Sequence, residues 1–176
     1  MSFKDWGEVA FILDEVVQTV NSVEITKSSE AETRFKIIDR IIREVFQWKD
    51  GQVSVEEREI ESEKYIDYIL RNKDYSIVIE AKKLGASFPS FTKQKKLRLS
   101  GQILGTGEVS KAIKQAEGYA DSLNANLVVV SNGSCWIVFK PINYRIEQNE
   151  YASIFFPLEN PLDCEKLFRS PMAPFP

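Results

Sequence analysis

Residues 65–82, YIDYILRNKDYSIVIEAK, decide the fold. Two short runs rich in β-branched and aromatic residues, Tyr65–Leu70 and Tyr75–Lys82, flank the polar break Arg71-Asn72-Lys73-Asp74, which predicts two strands closing an antiparallel hairpin over a four-residue loop. Ile77-Val78-Ile79 running on into Ala81 lacks the alternation of a half-exposed strand and predicts a central, largely buried one. Side chains alternate along a strand, so Glu80 and Lys82 point the same way. A regular hairpin over that loop sets Asp67 opposite Val78 and Tyr65 opposite Glu80, making Asp67 and Glu80 diagonal neighbours about 7 Å apart on one face.

Outward from the hairpin, residues 4–20 place Trp6, Val9, Ala10, Leu13, Val16, Val17 and Val20 at helical spacing. Ser29-Glu30-Ala31-Glu32 has the form of a capping box and opens a second helix with a stripe of Phe35, Ile38, Ile41, Ile42, Val45 and Phe46, ending near Trp48. A further strand is predicted over 53–60, and a third helix over 109–123. Leu127–Val130 and Trp136–Phe139 flank Asn132-Gly133, a hairpin signal because both turn positions call for positive φ. The order α, α, β, β, β, α, β, β predicts a mixed α/β sandwich in one domain over 1–156. Residues 157–176 hold five prolines and read as a tail or linker. Residues 84–108, with the cluster Lys93-Gln94-Lys95-Lys96-Leu97-Arg98, resist regular assignment and read as a long functional loop.

The chain has no histidine, which removes Ser-His-Asp and Cys-His nucleophiles and leaves carboxylates, lysine and a metal as the available chemistry. Cys135 and Cys164 lack partners for a zinc knuckle or a CxxC pair, and Cys135 reads as core. No apolar run approaches the roughly 20 residues of a membrane span and no secretory segment opens the chain, so a cytoplasmic protein is expected. Net charge is −3, unevenly spread: residues 50–67 hold seven acids against two bases, and residues 82–114 hold eight bases against one acid. Such a basic stripe reads as an electrostatic footprint for a phosphate backbone or as a solvated face.

Two converging carboxylates repel by roughly 4 kcal/mol at 4 Å and an effective dielectric near 20. A divalent cation removes that cost, and Mg²⁺ is commonly held by one or two carboxylates with several waters. Lys82 beside it can orient or deprotonate a water and offset charge on a phosphoryl transition state. The competing reading is a surface ion pair of Glu80 and Lys82 facing solvent, which the buried setting of the strand weakens.

Asp67 followed by Ile79-Glu80-Ala81-Lys82-Lys83 resembles the D...ExK core of the PD-(D/E)xK nuclease superfamily, specifically its type I restriction-enzyme R-subunit N-terminal family. Glu32-Thr33-Arg34 is similar to that family's E-x-R helix start, Gln115-x-x-x-Tyr119 to its Q-x-x-x-Y helix, and Ser131-Asn132-Gly133-x-x-Trp136 to its T-N-G-x-x-W hairpin; the similarity runs over about residues 30–140. The resemblance implies a restriction-endonuclease-like mixed sheet flanked by helices, and Mg²⁺-dependent hydrolysis of DNA, with Mn²⁺ as a substitute, in restriction or defence against foreign DNA. It implies metal binding by Asp67 and Glu80, with Lys82 as the catalytic lysine. Glu32 would support the metal, though capping explains it equally well, and Gln115 would approach the site or the phosphate. Lys83, Lys93, Lys95, Lys96 and Arg98 would contact DNA. Tyr119 reads as core, Trp136 and Asn132-Gly133 as architecture. Partners implied are an ATP-dependent motor domain or specificity and methylation subunits. The long 84–108 segment departs from the family pattern, and no Walker-type G-x-x-x-x-G-K-[ST] occurs, so the chain reads as a fragment or as a small protein whose motor lies elsewhere. The alternative is a nucleic-acid-binding or regulatory module that keeps the fold without turnover.

Overall fold

In the computed structural model of the chain, which describes residues 6–22, 27–59, 64–86, 88, 96–99, 107–142 and 151–159, seven strands form one mixed sheet with helices on both faces. Strands β1 (Val53–Arg58), β2 (Tyr65–Arg71), β3 (Ser76–Ala81), β4 (Lys96–Arg98), β5 (Leu127–Ser131), β6 (Trp136–Phe139) and β7 (Tyr151–Phe155) stand in the order β1-β2-β3-β5-β6-β7-β4. Every neighbouring pair is antiparallel except β3 and β5. The parallel pair requires a crossover, and helix α3 (Gly107–Ser122) lies within it. Among the described residues no helix is long and apolar enough to cross a membrane.

The central strands carry the apolar runs. Ile77 to Ala81 of β3 and all of β5 are buried, as a strand covered on both faces demands. On one face Tyr68, Leu70, Ile77, Ile79 and Val129 pack beneath α1 (Trp6–Ser22) and the helix that follows it, through Leu13, Val16, Ile38 and Ile42. There the Phe46 and Trp136 rings meet edge to face, centroids 5.7 Å apart. On the other face Val78, Val128 and Val130 meet Val109, Ala112, Ile113, Ala116 and Ala120 of α3. Cys135 is buried in this layer, and Cys164 lies outside the described residues.

Several expectations are corrected. The β2–β3 ladder pairs Tyr68 with Ile79 and Arg71 with Ser76, and Asn72 N–H bonds the Tyr75 carbonyl at 2.9 Å, so the turn is the two residues Lys73-Asp74 and not four. Asn72 Oδ1 accepts the N–H groups of Asp74 and Tyr75, an Asx-type closure that tightens the loop. The register therefore shifts by two residues from Asp67 opposite Val78: continued one step, it sets Asp67 opposite Glu80. In the second hairpin Gly133-Ser134 form the turn, Gly133 alone adopts positive φ (88°), and Asn132 is the last paired residue, its Oδ1 accepting from Cys135 N–H.

The second helix, α2 (30–45), begins as an α-helical turn capped reciprocally by Ser29 and Glu32 and then widens into two i→i+5 stretches, Arg34–Ile38 and Ile41–Val45. The wider turn changes the phase of the buried stripe: Ile37 takes the inward position and Phe35 is 74% exposed, against the spacing expected of it. Two strands were not anticipated. β4 falls in the segment read as a loop and pairs along β7, whose Ala152 and Ile154 alternate inward. Residues 160–176, most of the proline-rich tail, lie outside the described residues.

Candidate active site

Asp67, from β2, is fastened across the sheet: its Oδ2 accepts the Ala81 N–H at 2.7 Å. Its Oδ1 faces Arg34 Nη1 at 3.3 Å. Arg34 opens the first wide stretch of α2, lies 5.0 Å over the Tyr68 ring, and also bonds Glu56 Oε1 at 3.1 Å. Glu56 stands in β1 with φ 51°, a left-handed backbone unusual for glutamate, at the one position that the ladder to β2 skips. Strained backbone of this kind clusters at functional sites.

Glu80 is 1% exposed, although it is a carboxylate. Its Oε1 accepts from Lys82 Nζ at 2.6 Å, and its Oε2 is buried without a hydrogen-bond partner among the described residues. Burial first, and then the charge of Asp67, push its pKa up to about 7 against the pull of Lys82. Asp67 is raised as well, by burial, with the Ala81 N–H, Arg34 and Lys82 opposing. Lys82 is pulled down by burial, but its bond to Glu80 and the charges of Glu80, Glu30 and Asp67 outweigh this and raise it. Its Nζ also stands 3.6 Å from Glu30 Oε2.

The backbone just past β3 is held on two sides, which fixes where Lys82 sits. Lys82 N–H bonds the Ser131 carbonyl at 2.8 Å, and Leu84 N–H bonds Thr33 Oγ1 at 2.9 Å while its carbonyl accepts from Asn132 Nδ2 at 3.4 Å. The motifs around Thr33 and Asn132 thus converge on the strand end that carries the lysine.

Asp67, Glu80 and Lys82 are brought together as the alternation predicted, and the other candidates divide. Glu32 is not brought to the pair: its Oε2 closes the cap on Ser29 N–H and its Oε1 binds Lys36 at 3.0 Å. Glu30 stands there in its place. Four residues from Arg34 on one helix, Glu30 shares its face, whereas Glu32 is offset by two positions; that spacing was the available signal for Glu30 and Arg34. Glu56 has no sequence signal, since its backbone angle is a tertiary property. Gln115 does not bond either carboxylate: its Nε2 donates to Tyr119 OH at 3.0 Å, which in turn donates to the Tyr65 carbonyl at 3.4 Å. Tyr119 is buried, as expected. Among the described residues no three carboxylate, cysteine or histidine side chains close on one point, so the acidic centre is the Asp67–Glu80 pair.

Of the predicted nucleic-acid residues, Lys83 is exposed beside Lys82, and Lys93 and Lys95 lie outside the described residues. Lys96 and Arg98 belong to β4, four strand spacings from β3, or about 19 Å. Comparison of the chain with protein-family models, with curated proteins and with solved structures finds no match.

Proposed function

We propose that this chain is a divalent-cation-dependent nuclease domain of the PD-(D/E)xK type, its sandwich restriction-endonuclease-like, which hydrolyses DNA phosphodiester bonds in restriction or another defence against foreign DNA. The observation that carries this reading is Glu80: fully buried, raised to about 7, with one carboxyl oxygen unpartnered beside a second carboxylate. A group that served only packing would be expected to have its buried oxygens satisfied, and an apolar residue in its place would often be as stable or more so. Two close carboxyl groups with an unfilled oxygen suit an oxygen-preferring cation such as Mg²⁺ or Mn²⁺, which Asp67 and Glu80 would hold.

When bound, the cation would supply Lewis-acid polarisation of the phosphodiester and lower the pKa of a water. The chain's own residues do the rest. Lys82, held between Glu80 and Glu30, presents an ammonium group that can orient a water or offset charge developing on the phosphoryl oxygens. The Ala81 N–H and Arg34 fix the Asp67 carboxylate so that no reorganisation is needed at the moment of reaction.

Calorimetric titration of Mg²⁺ and Mn²⁺ into wild-type protein and Glu80→Ala, with supercoiled plasmid nicking in the same buffers, tests the reading. Divalent binding and nicking that both vanish with Glu80 are expected. DNA binding without nicking in any divalent cation would favour a binding or regulatory module of the same fold, and absence of divalent binding in wild type would sink the proposed site.

A further inference from the structure

Helix α3 has two unlike faces. Its inner face packs on the sheet through Val109, Ala112, Ile113, Ala116 and Ala120, while Lys111, Lys114, Gly118 and Ser122 are exposed on the outer one. Gly118 lies well inside a 16-residue helix, where glycine is unfavourable, yet a Cβ built there meets nothing within 4 Å. Among the described residues no neighbour requires this glycine. Over it opens a cavity of about 330 Å³, bounded by Lys114, Gln115 and Ser122 of the helix and by Lys64 at the start of β2. Glu59 also lines it but is buried, whereas Lys64 and Lys114 are exposed, so an approaching ligand meets a cationic rim.

The cavity adjoins the carboxylate site. Tyr119 links the two: it lines the cavity, accepts from Gln115, and its hydroxyl donates to the Tyr65 carbonyl, two residues before Asp67 on the same strand. Within the carboxylate site itself, Lys82 and Arg34 are engaged by Glu80, Glu30, Asp67 and Glu56. Holding a polyanion beside these acids calls for positive charge from elsewhere, and Lys114 takes part in no ion pair among the described residues.

We propose that this cavity is the subsite for the sugar-phosphate unit next to the scissile one, with Lys114 and Lys64 contacting its phosphate and Gly118 letting the nucleic-acid backbone lie directly against α3. The assignment rests on the nuclease reading and places the strand along the outer face of α3, not along the basic segment around residues 93–98.

Fluorescence anisotropy of a labelled DNA oligonucleotide in EDTA, over a range of salt concentrations, tests it without turnover. Lys114→Gln is expected to weaken binding several-fold and to make the log K against log salt slope shallower by about 0.7 to 0.9, the signature of one lost phosphate contact. Gly118→Leu is expected to raise the melting temperature, because leucine is the better helix former, while lowering affinity at least about fivefold. Lys73→Gln, at the turn at the far end of β2, is the control and should bind as wild type. Equal binding by all three variants overturns the subsite. Mg²⁺-dependent nicking by wild type, assayed in parallel, separates the two ideas. Nicking with normal binding by Lys114→Gln and Gly118→Leu removes the subsite and leaves the nuclease reading. Weakened variants with a wild type that binds but never nicks keep the subsite and remove that reading. A wild type that binds no DNA overturns both.

Discussion

Glu80 ties the protein's stability to its ionisation. A carboxyl raised from 4.5 to about 7 binds its proton more tightly folded than unfolded. Its contribution to stability is therefore complete below about pH 4.5 and is lost as pH rises through about 7, at roughly 1.4 kcal/mol for each pH unit crossed, or up to about 3 kcal/mol in all. Urea unfolding in EDTA should find wild type losing stability over that window, while Glu80→Gln, which has no proton to lose there, stays flatter; parallel curves would refute the assignment. The site was legible in the sequence at the level of which face it occupies. Strand alternation joins Glu80 with Lys82, and a two-residue change of register preserves parity, so Asp67 stays on the shared face even though the expected pairing was wrong. What alternation does not carry is the partner set: Arg34 and Glu30 come from a helix more than thirty residues earlier in the chain, and the resemblance pointed to Glu32, which the cap at Ser29 holds instead.

Among the elements, α2 departs furthest from its sequence pattern. A regular 3.6-residue period puts Phe35 in line with Ile38 and Ile42, and nothing local announces the i→i+5 bonds from Asp39 to Arg34 and from Phe46 to Ile41. The widening swings Phe35 outward while Arg34 reaches Asp67 and Thr33 reaches Leu84. Phe35→Ser should consequently change unfolding stability by less than about 0.5 kcal/mol, whereas Ile38→Ala should cost about 2 to 5 kcal/mol; a large loss on changing Phe35 would restore the regular phase. Strands were more legible. The unbroken apolar run of β3 correctly marked it as central, and the Asn132-Gly133 signal located a hairpin, although Gly133-Ser134 make the turn. Gly133 has a steric reason for its place, since a Cβ there would come within 2.9 Å of Ile37 Cγ2. β7 was missed although Ala152 and Ile154 alternate inward, and β4, three residues long, is specified by the strand it pairs with and not by its own pattern.

At the scale of the molecule, strand order is what the sequence withheld. Hairpins are local and announce themselves through turns, but the placement of β4 beyond β7 depends on a long-range pairing with no marker in either segment. The one parallel junction among the described strands, β3 with β5, also divides the chain by the cost of assembly. Asp67 and Glu80 meet in a hairpin closed by two residues, while Ile77 must find Leu127 fifty positions on. Loop-closure entropy grows by about 0.6 kcal/mol per doubling, so that second encounter costs about 3 kcal/mol more before any contact repays it. Nucleation within the β2–β3 ribbon is thus favoured over the non-local docking. Pulsed hydrogen exchange during refolding should protect amides of the Leu70–Ile77 ladder before those of β5; simultaneous protection would refute this order. The acidic pair is then assembled early, in a ribbon still open to water, and its carboxyl groups lose their hydration as the helices and β5 pack around it, so the pH dependence set by Glu80 belongs to those later docking steps.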